Sequence, residues 1–279
     1  MVVILSKKVL EVENLVFNYP DGTNALDGLS LSIEKGKKIA ILGANGAGKS
    51  TLFLHLNGIL KPKQGNIKFR GKKISYKKKE LQNLRKNIGI VFQDPDMQLF
   101  SSSVFQEISF GPLNLGLSEI QTRERVDEAM QIMEITDIKD KPTHLLSYGQ
   151  KKRISIADIL AMKPELIIFD EPTVWLDPKH SKEILGFINQ INKKGTTVIL
   201  STHDVDLAYQ WADYIYIFSD GKIIGEGSSE KIFRDNKLLK ESDLIKPWII
   251  EVYEKLIQNG RISSNVSVPK SKSELFELI

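Results

Sequence analysis

The sequence predicts an α/β protein whose core is a parallel sheet, and three observations carry this prediction. A glycine-rich segment, Gly43 to Thr51, lies between an apolar run and a segment of helical character. Apolar strands alternate with helical segments through much of the chain, which is typical of an open parallel sheet. An acidic pair, Asp170 and Glu171, directly follows one of these strands, at the edge where such a sheet binds ligands.

The glycine-rich segment matches the phosphate-binding pattern G-x-x-x-x-G-K-S/T at every defined position. Glycines let successive backbone N–H groups converge on a phosphate at the positive end of the following helix. Lys49 would hold the β- and γ-phosphates, and the Ser50 hydroxyl would ligate Mg²⁺. We therefore predict a P-loop NTPase that binds a nucleoside triphosphate. The predicted nucleotide-binding residues of this loop are Gly43, Ala44, Asn45, Gly46, Ala47, Gly48, Lys49, Ser50 and Thr51.

The composition excludes several classes of protein. With 41% hydrophobic and 27% charged residues, the 279-residue chain has the composition of a soluble globular protein. It contains no cysteine, which excludes disulfides and thiolate metal sites. No apolar run approaches the ~18 residues that span a bilayer, and Val2 to Leu5 is too short for a signal peptide. We therefore expect a cytoplasmic chain, whose net charge of +4 gives only weak support for an anionic partner.

The N-terminal part predicts an antiparallel β subdomain. Val9 to Phe17 and Leu29 to Ile33 alternate as half-buried strands, and residues 66–74 form two short strands around a turn. Tyr19 follows the first strand and could stack on an adenine, although this residue taken alone is better explained as a packed tyrosine at a strand end. Five lysines in and after the second of these short strands could bind polyanions. The preferred interpretation is that they form the solvated face of an edge hairpin. These lysines are Lys72, Lys73, Lys77, Lys78 and Lys79.

The middle of the chain predicts an inserted helical subdomain. Ile88 to Phe92 is an apolar strand that stops at Gln93, and residues 94 to about 160 contain helical segments without a convincing strand. Within them, Ser147 can cap a helix whose apolar residues Ile154, Ala157 and Ala161 recur on one face.

The rest of the chain completes the predicted sheet. Leu166 to Phe169 forms a buried strand, a helix runs from about Ser181 to Lys193, and the next strand leads to His203. A hairpin around residues 219–221 closes a nucleotide domain over residues 1–227. Residues 228–279 form a small helical accessory or dimerisation region. Its apolar stripe, Ile245 to Leu256, either packs on its own domain or contacts a second subunit.

The acidic pair supplies groups for triphosphate hydrolysis. Asp170 can hold Mg²⁺ through water, and Glu171 can orient and deprotonate the attacking water. A helix start containing Leu146, Ser147, Tyr148, Gly149 and Gln150 precedes the pair and would provide a second anion site.

Together these motifs resemble the ATP-binding subunit of ATP-binding-cassette transporters over about residues 8 to 230. The resemblance implies that two subunits enclose two ATP molecules, each phosphate loop facing Ser147, Gly149 and Gln150 of the other subunit. It makes Glu171, His203 and Gln93 the catalytic residues. It also implies that Mg²⁺ is bound by Ser50, Gln93 and Asp170. The nucleotide would in addition be bound by Tyr19 and Asp177. Two residues depart from the family pattern: Tyr148 replaces a glycine, and Trp175 stands where a small residue is usual.

Within this family, the segments at 91–100, 110–117 and 146–153 look like those of energy-coupling-factor importers, most of all the cobalt or nickel import group. This implies a peripheral subunit on the cytoplasmic face of the cell membrane. Its expected partners are a second copy or a paralogous ATPase, a transmembrane coupling protein and a substrate-binding membrane subunit. Vitamin import by the same mechanism is the main alternative. A soluble cassette ATPase acting on nucleic acid or ribosomes, and a P-loop kinase, are less favoured.

Overall fold

The computed structural model describes residues 8–263 and 265–279, so Val2 to Leu5 lie outside the described residues. The strands are β1 (Lys8–Asn18), β2 (Asn24–Glu34), β3 (Lys38–Gly43), β4 (Gln64–Phe69), β5 (Lys72–Lys73), β6 (Ile88–Val91), β7 (Leu166–Phe169), β8 (Thr197–Thr202), β9 (Tyr214–Ser219) and β10 (Lys222–Gly227). The α-helices are α1 (Lys49–Leu56), α2 (Lys78–Asn87), α3 (Val104–Asn114), α4 (Glu119–Ile132), α5 (Tyr148–Ala161), α6 (Pro178–Lys193), α7 (Val205–Trp211), α8 (Ser229–Arg234), α9 (Asn236–Glu241), α10 (Trp248–Gln258) and α11 (Lys272–Phe276).

Two sheets form the framework and confirm the predicted fold class. One is antiparallel, in the order β2-β1-β4-β5. The other has the order β10-β9-β3-β8-β7-β6 and is parallel except for β10, which pairs antiparallel with β9. The carboxyl ends of β3, β7 and β8 therefore lie side by side, and the loops that follow them carry the predicted site.

The central strand β3 is apolar because both of its faces are covered. Ile39 and Ile41 join the core between the two sheets, while Ala40 and Leu42 join the core beneath the helices. All four side chains are almost completely buried. Alternate residues of a strand point to opposite faces, so a strand between two cores is apolar throughout.

Residues 94–160 contain helices and no strand, as the sequence predicted. The helices α3, α4 and α5 pack together, and α5 also contacts β6. Ile154, Ala157 and Ala161 of α5 are buried, which confirms the predicted apolar face.

One prediction about the lysine-rich turn was wrong. Lys72 and Lys73 form β5, but Lys78 and Lys79 begin helix α2, which Lys77 precedes. Helix α2 is strongly polar, and Leu84 is its one buried residue. Arg85 joins α2 to the end of α1 by donating a hydrogen bond of 3.0 Å to the Gly58 carbonyl. Tertiary contacts therefore support a polar helix that was not predicted from the sequence.

The C-terminal residues pack in part against the rest of the chain. The backbone N–H of Trp248 donates to Asp206 Oδ1 at 3.0 Å, and the Tyr209 hydroxyl donates to the Pro269 carbonyl at 3.1 Å. Ile249 and Tyr253 are buried, whereas Val252 is 37% exposed. The predicted helix is observed as α10, and its apolar stripe is divided between the chain's own core and its surface. The short helices α7, α8 and α9 were not predicted.

Candidate nucleotide-binding site

The loop between β3 and α1 has the backbone that a phosphate-binding loop requires. Gly43, Gly46 and Gly48 have φ values of +154°, +83° and +104°, which residues with a side chain rarely adopt. Gly48 is the N-cap of α1 and offers no side chain to cap its first turn. The N–H groups at the start of α1 therefore lack a side-chain acceptor from this cap, as an anion-binding helix terminus requires.

Lys49 lies inside this loop. Its Nζ donates to the Gly43 carbonyl at 2.6 Å and to the Ala44 carbonyl at 3.0 Å, and the residue is only 6% exposed. Burial lowers the pKa of the Lys49 ammonium, while the nearby Glu171 and Asp170 act in the opposite direction. The loop thus holds a cation at its centre, ready to exchange carbonyl acceptors for phosphate oxygens.

Asp170 joins the phosphate loop to the ends of β7 and β8. Ser50 Oγ donates to Asp170 Oδ2 at 2.6 Å, and Ser201 Oγ donates to Asp170 Oδ1 at 2.6 Å. A hydroxyl and a carboxylate in direct contact are the hard oxygen ligands that Mg²⁺ prefers, so these residues fit that ion. Ser201 was not predicted. The sequence places Ser201 near the end of an apolar strand, and the structure pairs that strand with β7.

Glu171 is a buried carboxylate whose two oxygens accept no hydrogen bond. The residue is 6% exposed, its φ is +43°, and neither side-chain oxygen has a hydrogen-bond partner. His203 Nδ1 lies 3.2 Å from Oε2 but makes no hydrogen bond to it, and the imidazole is 68% exposed. An unsatisfied buried carboxylate is costly, so a protein that retains one usually uses it.

Lys49, Ser50, Asp170 and Glu171 line one cavity of about 280 Å³, whereas Ser201 and His203 do not line it. Gln93 lies on its wall, and the Tyr19 hydroxyl is 3.0 Å from Thr51 Oγ1. Thr23 and the first two residues of β2, Asn24 and Ala25, also line it and were not predicted. The predicted residues that the structure brings together here are Tyr19, Asn45, Gly46, Gly48, Lys49, Ser50, Thr51, Gln93, Asp170 and Glu171.

The helix-start residues are placed differently. Ser147 is the exposed N-cap of α5, where its Oγ accepts from the Gln150 N–H and the Gln150 side chain accepts from the Ser147 N–H. Asp177 caps α6 and accepts from the His180 N–H at 2.9 Å and from His180 Nδ1 at 2.6 Å. These bonds lower the pKa of Asp177. Ser147, Gly149, Gln150 and Asp177 do not line the cavity of their own chain.

Comparison with known sequences gives a consistent result. The family described as ABC transporter matches residues 26–174. The energy-coupling factor transporter ATP-binding protein EcfA of Methanosphaera stadtmanae is 45% identical over 271 residues, covering 97% of this chain and 98% of that protein. EcfA of Methanocaldococcus jannaschii is 46% identical over 254 residues, with 91% of each chain covered.

Solved structures with the same fold include CbiO1 from Clostridium perfringens, described as part of the ABC transporter complex CbiONQ. It superposes with a TM-score of 0.76 at 46% identity, covering 89% of this chain and all of that chain. The cassette MJ0796, solved as a dimer bound to ADP and Pi after hydrolysis, gives a TM-score of 0.71 at 28% identity over 79% of this chain and 98% of that chain. Within residues 8–263 and 265–279, no helix has the length and apolar character needed to cross a bilayer.

Proposed function

This chain belongs to the ABC transporter family, as an ATP-binding subunit of the energy-coupling-factor type, and we propose that it powers the import of cobalt or nickel ions. It is an ATPase whose hydrolysis is coupled to transport. We also propose that hydrolysis depends on Mg²⁺, and we propose roles for individual residues and the kinds of partner subunit.

The observation that carries the catalytic proposal is the buried carboxylate of Glu171, which accepts no hydrogen bond and lies on the wall of the phosphate-loop cavity. In this role Glu171 orients a water molecule and accepts its proton as the water attacks the γ-phosphate. Lys49 and the N–H groups at the start of α1 hold the phosphate oxygens. His203 is close enough to Glu171 to contact the same γ-phosphate.

The Mg²⁺ proposal rests on the contact between Ser50 and Asp170 and on the place of Gln93 in the same cavity. These three residues would hold the ion, which supplies neutralisation of the charge that develops on the phosphate oxygens. Tyr19, half-buried at the rim, would stack on the adenine.

A dimer explains the residues that do not line the cavity. Ser147, Gly149 and Gln150 stand at the exposed start of a 14-residue helix, where they can bind the phosphates held by a second subunit. Asp177 would contact the nucleotide from the same side. We propose residues 1–227 as the nucleotide domain and 228–279 as an accessory region that adds to the dimer. The partner is a second copy or a paralogous ATPase.

The helical region at about 94–160 offers the docking site for a transmembrane coupling protein. A groove of about 730 Å³ between α3 and α4 is lined by apolar residues that include Phe110 and Leu113. Phe100, which precedes α3 and contacts the Phe110 ring, is 66% exposed, and Ile120 is 74% exposed. Exposed apolar side chains around a groove mark an interaction site. This docking would place the chain at the cytoplasmic face of the membrane, with a separate substrate-binding subunit.

The hydrolysis proposal is tested by Glu171→Gln, with the exposed Glu226→Gln as the matched control. The change removes the base and keeps the shape, so ATP binding should persist while the hydrolysis rate falls by ~10²–10⁴. Glu226→Gln should hydrolyse ATP like the natural protein. Near-normal turnover of Glu171→Gln would refute the assignment of the base.

The ion proposal is supported by the resemblance of segments 91–100, 110–117 and 146–153 to the cobalt or nickel import group. It is tested by purifying the tagged chain from native membranes, identifying its partners, and measuring the metal content of cells that lack it. A metal-binding membrane partner and lowered cobalt or nickel would support the proposal. A vitamin-binding partner would mean that the imported substrate is a vitamin. Recovery of ribosomes or nucleic acid without membrane protein would refute coupling to import.

A further inference from the structure

The two residues that depart from the family pattern contact each other. The rings of Tyr148 and Trp175 meet edge to face, with centroids 5.8 Å apart and planes inclined by 78°. One belongs to the first turn of α5 and the other to the loop between Glu171 and α6. Such a pair stabilises the relative position of the two segments. A glycine at position 148 could not make this contact.

Tyr148 also contacts a third segment. Its hydroxyl donates a hydrogen bond of 2.9 Å to the backbone carbonyl of Gln93, just beyond β6. Burial raises the pKa of this hydroxyl to about 12, so it remains a donor at neutral pH. Lys152, one turn further along α5 and fully buried, donates to the same carbonyl at 2.7 Å and to the Phe92 carbonyl at 2.9 Å. Two side chains of α5, those of Tyr148 and Lys152, therefore bind the backbone at Gln93.

The loop that carries Trp175 is also held at its far end. Trp175 has a φ of +63° and is 66% exposed, so the backbone presents a large indole at the surface. Beyond it, Asp177 binds His180, and a Cβ built on Gly149 would lie 3.4 Å from the His180 ring. The start of α5 thus lies against Trp175 in this loop and against His180 in the first turn of α6.

From these contacts we infer that Tyr148 is a positioning residue that joins the Gln93 segment, the Ser147 helix start and the Trp175 loop into one unit. The inference rests on the proposed function, in which Gln93 belongs to the nucleotide cavity while Ser147 and Asp177 face the other subunit. A displacement at Gln93 is then transmitted to both interface segments together. The hydroxyl carries one link and the ring carries the other, so single substitutions can separate them.

The test uses Tyr148→Phe, which removes the hydroxyl and keeps the ring, and Trp175→Ala, which removes the ring pair and keeps the hydroxyl. Tyr214→Phe, in a half-buried tyrosine of β9 away from the cavity, is the control for loss of a hydroxyl. We expect Tyr148→Phe to lower kcat about threefold to tenfold, the value of one hydrogen bond, with KM for ATP unchanged. Trp175→Phe should restore most of what Trp175→Ala loses.

The double variant measures whether the two links act as one unit. In a Glu171→Gln background, ATP-driven dimerisation of the double variant should be weakened by less than the product of the two single effects. Independent effects, or a Tyr148→Phe variant with natural kcat and dimerisation, would overturn the inference.

Hydrogen exchange without nucleotide separates this result from failure of the proposed function. Tyr148→Phe should speed exchange in both 93–96 and 173–177 and leave β7 unchanged. If the natural protein failed to dimerise with ATP, the proposed ATP-bound dimer would be refuted. The exchange result would still decide whether Tyr148 positions the two segments. Unchanged exchange in either segment would overturn the inference.

Discussion

Two glycines of the phosphate loop allow a quantitative comparison, because the same substitution meets different surroundings at each. A Cβ atom at Gly48 would lie 2.4 Å from the Ala25 carbonyl oxygen and 3.3 Å from Leu26 Cδ2. A Cβ atom at Gly46 would have no other atom within 4 Å. Both residues have positive φ, +104° and +83°, so both variants share the backbone cost. The difference between Gly48→Ala and Gly46→Ala therefore measures the close approach to β2.

The magnitudes follow from these contacts. A side chain in a left-handed backbone costs about 1–2 kcal/mol, which is the expected loss in the free energy of unfolding for Gly46→Ala. The Ala25 oxygen belongs to the backbone of β2, in a paired strand, and cannot move aside like the end of a flexible side chain. Overpacking of this kind adds about 1–3 kcal/mol. We expect Gly48→Ala to lose about 2–5 kcal/mol in total.

The assay is urea unfolding of both variants without nucleotide, followed by ATP titration. Gly48→Ala should also lose ATP affinity by at least about tenfold, because the shift displaces Lys49 and Ser50, which come next in the chain. Gly46→Ala should lose less. Equal unfolding free energies for the two variants would refute the argument, since the steric difference would then have no energetic consequence.

Three further predictions test other parts of the structure. Gly89→Ala should unfold at lower urea concentration, because its Cβ would lie 2.2 Å from Ile159 Cγ2, and adding Ile159→Ala should recover part of the loss; no recovery would contradict the packing. Burial raises the pKa of Asp158 to about 7, so the stability of the natural protein should fall relative to Asp158→Asn as pH rises from about 4 to 7, by on the order of 2–4 kcal/mol; parallel pH curves would contradict it. Tyr19→Phe should keep most of the ATP affinity and lose only the bond to Thr51, whereas Tyr19→Ala should lose about tenfold in a nucleotide titration; equal affinities would argue against adenine stacking.

The sequence predicted the parts of the fold that local pattern encodes. The run from Ile39 to Leu42 is apolar because it lies between two cores, and the motif beginning at Gly43 has a single structural context. The helix start at Ser147 was predicted by its capping residues, and the structure shows both reciprocal hydrogen bonds. Helix α2 was missed because it is strongly polar and buries one residue, Leu84.

The candidate site divides in the same way. The phosphate loop and the acidic pair could be predicted as parts of the site from the sequence, since each belongs to a continuous motif. Tertiary structure alone decided that Ser201 bonds Asp170, because that contact depends on β7 and β8 being neighbours in the sheet. It also decided that Tyr148 meets Trp175 and Gln93. Contacts between segments far apart in the chain depend on register and packing, which no local pattern encodes.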